Sequence, residues 1–124
     1  MILLLNGASS SGKTAMARAL QRAWAEPLLH LGIDTAVAML PAAYVGMGPN
    51  ASQGIEFYAD EDEQGPVMRI RYGPLGRRIE QSLARMAQGL AQDGHDMVLE
   101  MDIIDKEPLR TFVQALVDMP NSFN

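Results

Sequence analysis

Residues 7–14 read Gly-Ala-Ser-Ser-Ser-Gly-Lys-Thr. They complete the pattern G-x-x-x-x-G-K-[ST]. A loop of this kind rings a polyphosphate with backbone N–H groups, reaches the terminal phosphates with its lysine and holds Mg²⁺ with its last hydroxyl. The pattern marks Gly7, Ala8, Ser9, Ser10, Ser11, Gly12, Lys13 and Thr14 as nucleotide-binding residues, with Thr14 at the metal. A side chain at Gly7 or Gly12 would clash with the turn or block the phosphate. The helix that follows points its positive end at the same anion.

The flanks fit. Ile2-Leu3-Leu4-Leu5 is a short apolar run, as a buried parallel strand should be. Met16, Leu20 and Trp24 recur every four residues and predict a helix over about 13–25, stopped by Glu26-Pro27. A flexible glycine-serine turn would need neither flank.

Further out, 28–33 reads as a second strand, and Asp34 opens a short helix over 35–40 that Pro41 ends. Residues 41–54 read as a loop. Two strands, 55–59 and 67–72, flank an acidic turn at 60–65 and predict an antiparallel hairpin. Gly73-Pro74 starts a helix with the stripe Leu75, Ile79, Leu83, Met86 and Leu90, and Gly94 ends it. Met97-Val98-Leu99 is a third core strand running into Glu100-Met101-Asp102. Leu109, Phe112, Val113, Leu116 and Val117 mark a last helix, and 118–124 carries no pattern. Strands alternating with helices predict an α/β fold over 1–124, in one domain. Its parallel sheet and flanking helices form the three layers of phosphate-loop proteins, with the small hairpin as an insertion.

Composition narrows the partners. The net charge of −5 offers no basic field for nucleic acid. No apolar run approaches a membrane span, and the start has no basic segment before its leucines, so the chain reads as cytoplasmic. With no cysteine it has neither a disulfide framework nor a thiolate site.

In open α/β sheets, ligands bind at the carboxyl ends of the strands. The loop follows the first strand, Asp34 the second, and Glu100 with Asp102 the third. Asp34 is a candidate base, taking the proton of a hydroxyl that attacks a terminal phosphate. It reads equally well as the N-cap of the short helix. A ribose-binding acid of a dinucleotide fold is excluded, because Ser9 stands where that motif needs its second glycine. Glu100 is a candidate to hold Mg²⁺ directly or through water. Asp102 shares a face with it in extended chain, and solvated loop acids are the alternative for both. His30 and His95 lack partners at metal spacing and read as packing or surface residues. The acids at 60–63 read as a solvated turn. Met39, Met47, Phe57 and Met68 fit either a pocket wall or the core.

Together these residues resemble the chloramphenicol phosphotransferase-like family of phosphate-loop kinases. The likeness rests on Asn6 through Thr14, on Gly32-Ile33-Asp34-Thr35 with Leu40-Pro41, on Gly54-Ile55-Glu56-Phe57 and on Gly73-Pro74, and it reaches about residue 117. It implies ATP- and Mg²⁺-dependent phosphorylation of a hydroxyl on a small molecule, with chloramphenicol the founding case and antibiotic resistance the setting. It implies Asp34 as the base, Lys13 as a nucleotide-binding and catalytic cation, and Thr14 at the metal. Glu100 departs from the aspartates usual at its strand end. Family members run on past this length with further parallel strands and an arginine-bearing lid. The resemblance therefore also implies a partial domain, with an open edge beside the first strand that invites self-association. Arg77, Arg78 and Arg110 read as solvated helix charges, no substitute for lid arginines. A nucleotide-binding fragment without turnover and a toxin-like nucleotide-sugar kinase are the alternatives.

Overall fold

The computed structural model describes residues 1–8 and 12–118, so the end of the patternless tail, 119–124, lies outside the described residues. Strand β1 (Ile2–Asn6) leads through the loop into helix α1 (Lys13–Ala23), then β2 (Leu28–Gly32) and α2 (Ile33–Met39). Two single-turn 3₁₀ helices and the two-residue strand β3 (Val45–Gly46) precede β4 (Ile55–Asp62) and β5 (Gly65–Tyr72). Helix α3 (Pro74–Gln92), strand β6 (Asp96–Met101) and helix α4 (Lys106–Val117) follow.

The main sheet is parallel, with β6 between β1 and β2. Leu4 of β1 and Leu31 of β2 both register with Leu99 of β6. Side chains alternate along β6. Met97, Leu99 and Met101 join the larger core with Leu83, Ala84 and Ala87 of α3 and Phe112 of α4. Val98, between them, joins Ala17 of α1 and Leu28 on the opposite face. Helices therefore flank both faces of a three-stranded parallel sheet, an arrangement compatible with a phosphate-loop fold. Strand β1 is an edge of this sheet among the described residues. No helix among them is long and apolar enough to cross a membrane.

Several elements differ from the sequence reading. On α1 the packed residues are Ala17, Leu20 and Trp24, while Met16 is exposed. Small Ala17 lets the helix approach β6, and Met16 points away. On α3 the buried face is Gly76, Glu80, Leu83, Ala84, Ala87 and Gln88, rotated from the predicted stripe, and Met86 is exposed. Two alanines let α3 pack closely, and the two buried polar groups have partners. Glu80 pairs with Arg77 at 3.2 Å, and the Gln88 amide donates to the Ala115 carbonyl on α4. Burial pushes the Glu80 carboxyl above the usual range, against the pull of Arg77. The expected loop at 41–54 holds β3, which pairs parallel with β4.

The hairpin is longer than predicted, with only Glu63 and Gln64 between its strands. Of the acids read as a turn, Asp60 pairs with a basic residue of β5, and Glu56 earlier on β4 pairs with another. Arg69 meets Asp60 at 2.7 Å and Arg71 meets Glu56 at 3.0 Å. Opposite charges across the antiparallel pair support the ladder, while the acids at 60–63 stay exposed, as a solvated run should.

Gly32 ends β2 beside the candidate site. A Cβ there would lie 2.0 Å from the carbonyl oxygen of Glu100. Alanine must push β2 off β6, so Gly32→Ala is expected to destabilise the fold by about 1–3 kcal/mol. That corresponds to a melting point lower by roughly 5–10 °C. A thermal melt coincident with that of the natural sequence would show that β2 can shift without cost.

Candidate functional site

The carboxyl rim of the sheet gathers the predicted residues. Gly12 caps α1 in the left-handed region at φ 84°, where other residues are strained. Lys13, the first helical residue, is buried, and its Nζ donates to the Ala8 carbonyl at 2.7 Å, so the lysine folds back to the start of the loop. The Gly7 N–H donates to the Met101 carbonyl at 3.3 Å. Ser9, Ser10 and Ser11 lie outside the described residues.

Glu100 is the hub. It is 5% exposed, near the end of β6. Its Oε2 accepts from the Thr14 hydroxyl at 2.7 Å, and its Oε1 from His30 Nε2 at 2.8 Å. A carboxylate only accepts, so both partners donate. Thr14 gives its proton to Glu100 and keeps its oxygen lone pairs. A hydroxyl oxygen beside a buried carboxylate is the hard donor set that Mg²⁺ takes, with water and phosphate completing the shell. Among the described residues no group of three or more histidines or acids could hold a metal alone. A cation here would therefore depend on phosphate oxygens.

Asp102 lies just past β6 and is also 5% exposed. Burial pushes its carboxyl above the usual range; the Lys13 ammonium pulls it back and Glu100 adds to the push. Asp34 does not cap α2. Gly32 holds that position, and its N–H donates to the Thr35 hydroxyl at 3.2 Å. Asp34 sits inside the first turn, exposed, with no hydrogen-bond partner among the described residues. It lines a cavity of about 160 Å³ together with Arg18, His30 and Glu100. The structure thus brings Asp34, Glu100 and Thr14 to one neighbourhood.

A larger cleft of about 550 Å³ lies between the hairpin and residues 102–105, with Ala8 and Asp102 in its wall. Met68 lines it, whereas Met39 and Met47 are exposed elsewhere and Phe57 packs on the core. Arg110, paired among the described residues with Glu107 alone, is the solvated charge it seemed, and Arg78 is exposed too. Arg77 is not, since it reaches Glu80 and Asp105 and stacks 4.7 Å from the centre of the Tyr72 ring.

Two functional contacts were missed in the sequence. His30 is bonded to the hub, where a packing role was expected. Asn6 clasps the segment after β6: its amide donates to the Ile103 carbonyl at 3.0 Å, and the Ile103 N–H donates to its oxygen at 2.8 Å. That clasp holds the loop's start against the Asp102 segment. The signal for Asn6 was a side-chain amide at the end of an apolar strand, where nothing else called for one.

A family model described as chloramphenicol phosphotransferase-like protein matches residues 1–123. No curated protein matches the chain. The family match runs through the loop, the segment around Asp34 and the strand that carries Glu100. The chain belongs to the chloramphenicol phosphotransferase-like family.

Proposed function

We propose that the protein transfers the terminal phosphoryl group of ATP to a hydroxyl on a small molecule. The observation that carries this reading is the 2.7 Å hydrogen bond from Thr14 to buried Glu100, which joins the loop to the end of the central strand. Lys13 and the N-terminal end of α1 neutralise the phosphates. Thr14 and Glu100 are the residues that would hold Mg²⁺. When bound, the metal neutralises charge on the phosphate oxygens and keeps them in register. Asp34 orients the acceptor hydroxyl. As the acceptor oxygen bonds to the terminal phosphorus and the bond to ADP breaks, the hydroxyl proton passes to the Asp34 carboxylate.

The direct test is incubation with γ-labelled ATP and a panel of hydroxyl-bearing antibiotics and sugars. Label transferred to an acceptor, and lost in the Asp34 variant, supports the reading. Nucleotide binding without transfer to any acceptor would leave only a nucleotide-binding module.

His30 enters this scheme as a positioning residue. Its bond to Oε1 turns Oε2 toward Thr14. Partners of metal-binding carboxylates are commonly worth 10- to 100-fold in metal affinity. His30→Ala is therefore expected to raise the Mg²⁺ concentration needed for ATP binding about tenfold, with His30→Gln recovering part of the loss. ATP binding measured in excess EDTA should not change. An unaltered Mg²⁺ dependence in His30→Ala would reduce His30 to a packing role.

A further inference from the structure

We infer that Arg18 of α1 is a further catalytic residue of this site, its guanidinium meeting the phosphoryl group as it passes from ATP to the acceptor. The inference rests on the phosphotransfer reading and adds a residue to it.

Arg18 follows Thr14 by four residues on α1, so the two share a face of the helix. Long side chains on a helix lean toward its N-terminus, which is the phosphate end of α1. Arg18 accordingly stands in the wall of the 160 Å³ cavity that His30, Asp34 and Glu100 also line. The carboxylate assigned to the hydroxyl proton and the carboxylate beside Thr14 thus open on one space, and a guanidinium opens on it with them.

Charge in that space is unbalanced. Both acids are present, and a phosphoryl group would bring more negative charge. Lys13 is turned to the Ala8 carbonyl, and His30 is committed to Glu100 through Nε2. Arg18 makes no hydrogen bond or ion pair among the described residues, although it shares the cavity with two acids. The arginines of the hairpin and of its neighbour α3 differ. Arg69, Arg71 and Arg77 already hold carboxylates. The room left between Arg18 and the two acids is what a group binding there would fill. A planar guanidinium suits it, because its fork of N–H groups matches two oxygens of one phosphoryl group.

The step balances without altering Arg18. The acceptor oxygen bonds to the terminal phosphorus, and the bond from phosphorus to the ADP oxygen breaks with its electron pair leaving on ADP. The hydroxyl proton passes to Asp34. Arg18 donates hydrogen bonds to the phosphoryl oxygens throughout and keeps its own protons.

ADP, Mg²⁺ and aluminium fluoride together imitate the phosphoryl group in flight, and calorimetry on the full chain tests the inference without an acceptor. The natural sequence is expected to bind ADP with fluoroaluminate more tightly than ADP alone. Arg18→Gln should weaken the fluoroaluminate complex about a hundredfold and Mg·ADP by no more than about twofold, since arginines that meet the phosphoryl group act on the transition state. Arg18→Lys keeps the charge without the fork and should recover part of the loss. Arg22→Gln, exposed one turn further along α1 and outside the cavity, should match the natural sequence. No gain from fluoroaluminate in the natural sequence, an equal gain in Arg18→Gln, or a loss shared by Arg22→Gln would each overturn the inference. Where Mg·ADP still binds, those results leave the phosphotransfer reading standing. Failure of the natural sequence to bind Mg·ADP at all would remove both.

Discussion

Lys13→Ala is expected to lower the affinity for Mg·ATP at least tenfold, and about a hundredfold if the lysine meets two phosphate oxygens, as read by isothermal titration calorimetry. The expectation follows from the position of Lys13. It is the first residue of α1 and is buried, with its ammonium turned back to the Ala8 carbonyl at 2.7 Å. The buried ammonium has one neutral carbonyl as its hydrogen-bond partner and Asp102 as a nearby charge, and phosphate oxygens would add charged acceptors. The variant loses that charge where the loop has no other cation among its eight residues. It also removes the pull of Lys13 on Asp102, whose carboxyl burial already holds above the usual range, so its protonation shifts further upward. The lost hydrogen bond to Ala8 costs stability of only about 1 kcal/mol. The variant should therefore fold, and weak binding would report on the phosphate site. Equal affinity in the two proteins would remove the basis for reading residues 7–14 as a nucleotide loop.

Strand β1, helix α1 and the glycine turn at Gly12 between them were legible because one local pattern specifies all three, while residues 9–11 lie outside the described residues. The order of the sheet was not, since nothing in 97–101 says that this strand lies between the other two. The hub shows the same limit. Thr14 and Glu100 are 86 residues apart, and His30 and Glu100 are 70 apart, so no spacing rule connects them. Glu100 was still reachable, because the carboxyl ends of strands are where such folds bind ligands. His30 was not, because a histidine in an apolar strand looks the same whether it packs or donates. The helix stripe on α3 misled for a different reason. Buried Glu80 and Gln88 count as polar in any periodicity, yet Arg77 and the Ala115 carbonyl satisfy them. The acidic run was half legible: its four acids are exposed, as read, but the strand through Asp62 and the pairing of Asp60 with Arg69 are properties of the hairpin and not of the run.

Asp34→Asn is expected to lower kcat about 10²- to 10⁴-fold, with KM for ATP unchanged, the range a positioned base contributes. A loss of that size cannot come from destabilisation. The Asp34 side chain is exposed and makes no hydrogen bond among the described residues, so exchanging it for an isosteric amide removes no packing. It does remove a negative charge from the first turn of α2, worth about 0.3–1 kcal/mol through the helix dipole. A thermal melt measures that small cost separately from turnover. Because Gly32 occupies the N-cap, capping does not explain the aspartate, and a free carboxylate in the cavity shared with Glu100 is what remains. Asp102→Asn should lower kcat far less, since Asp102 is buried beside Lys13 and Glu100 and does not line the cavity that Asp34 shares with Glu100. The two variants thus divide the carboxylates of the rim by role. Should Asp34→Asn keep the natural kcat while Asp102→Asn loses it, the proton goes to Asp102. Asp34 would then serve only the start of its helix.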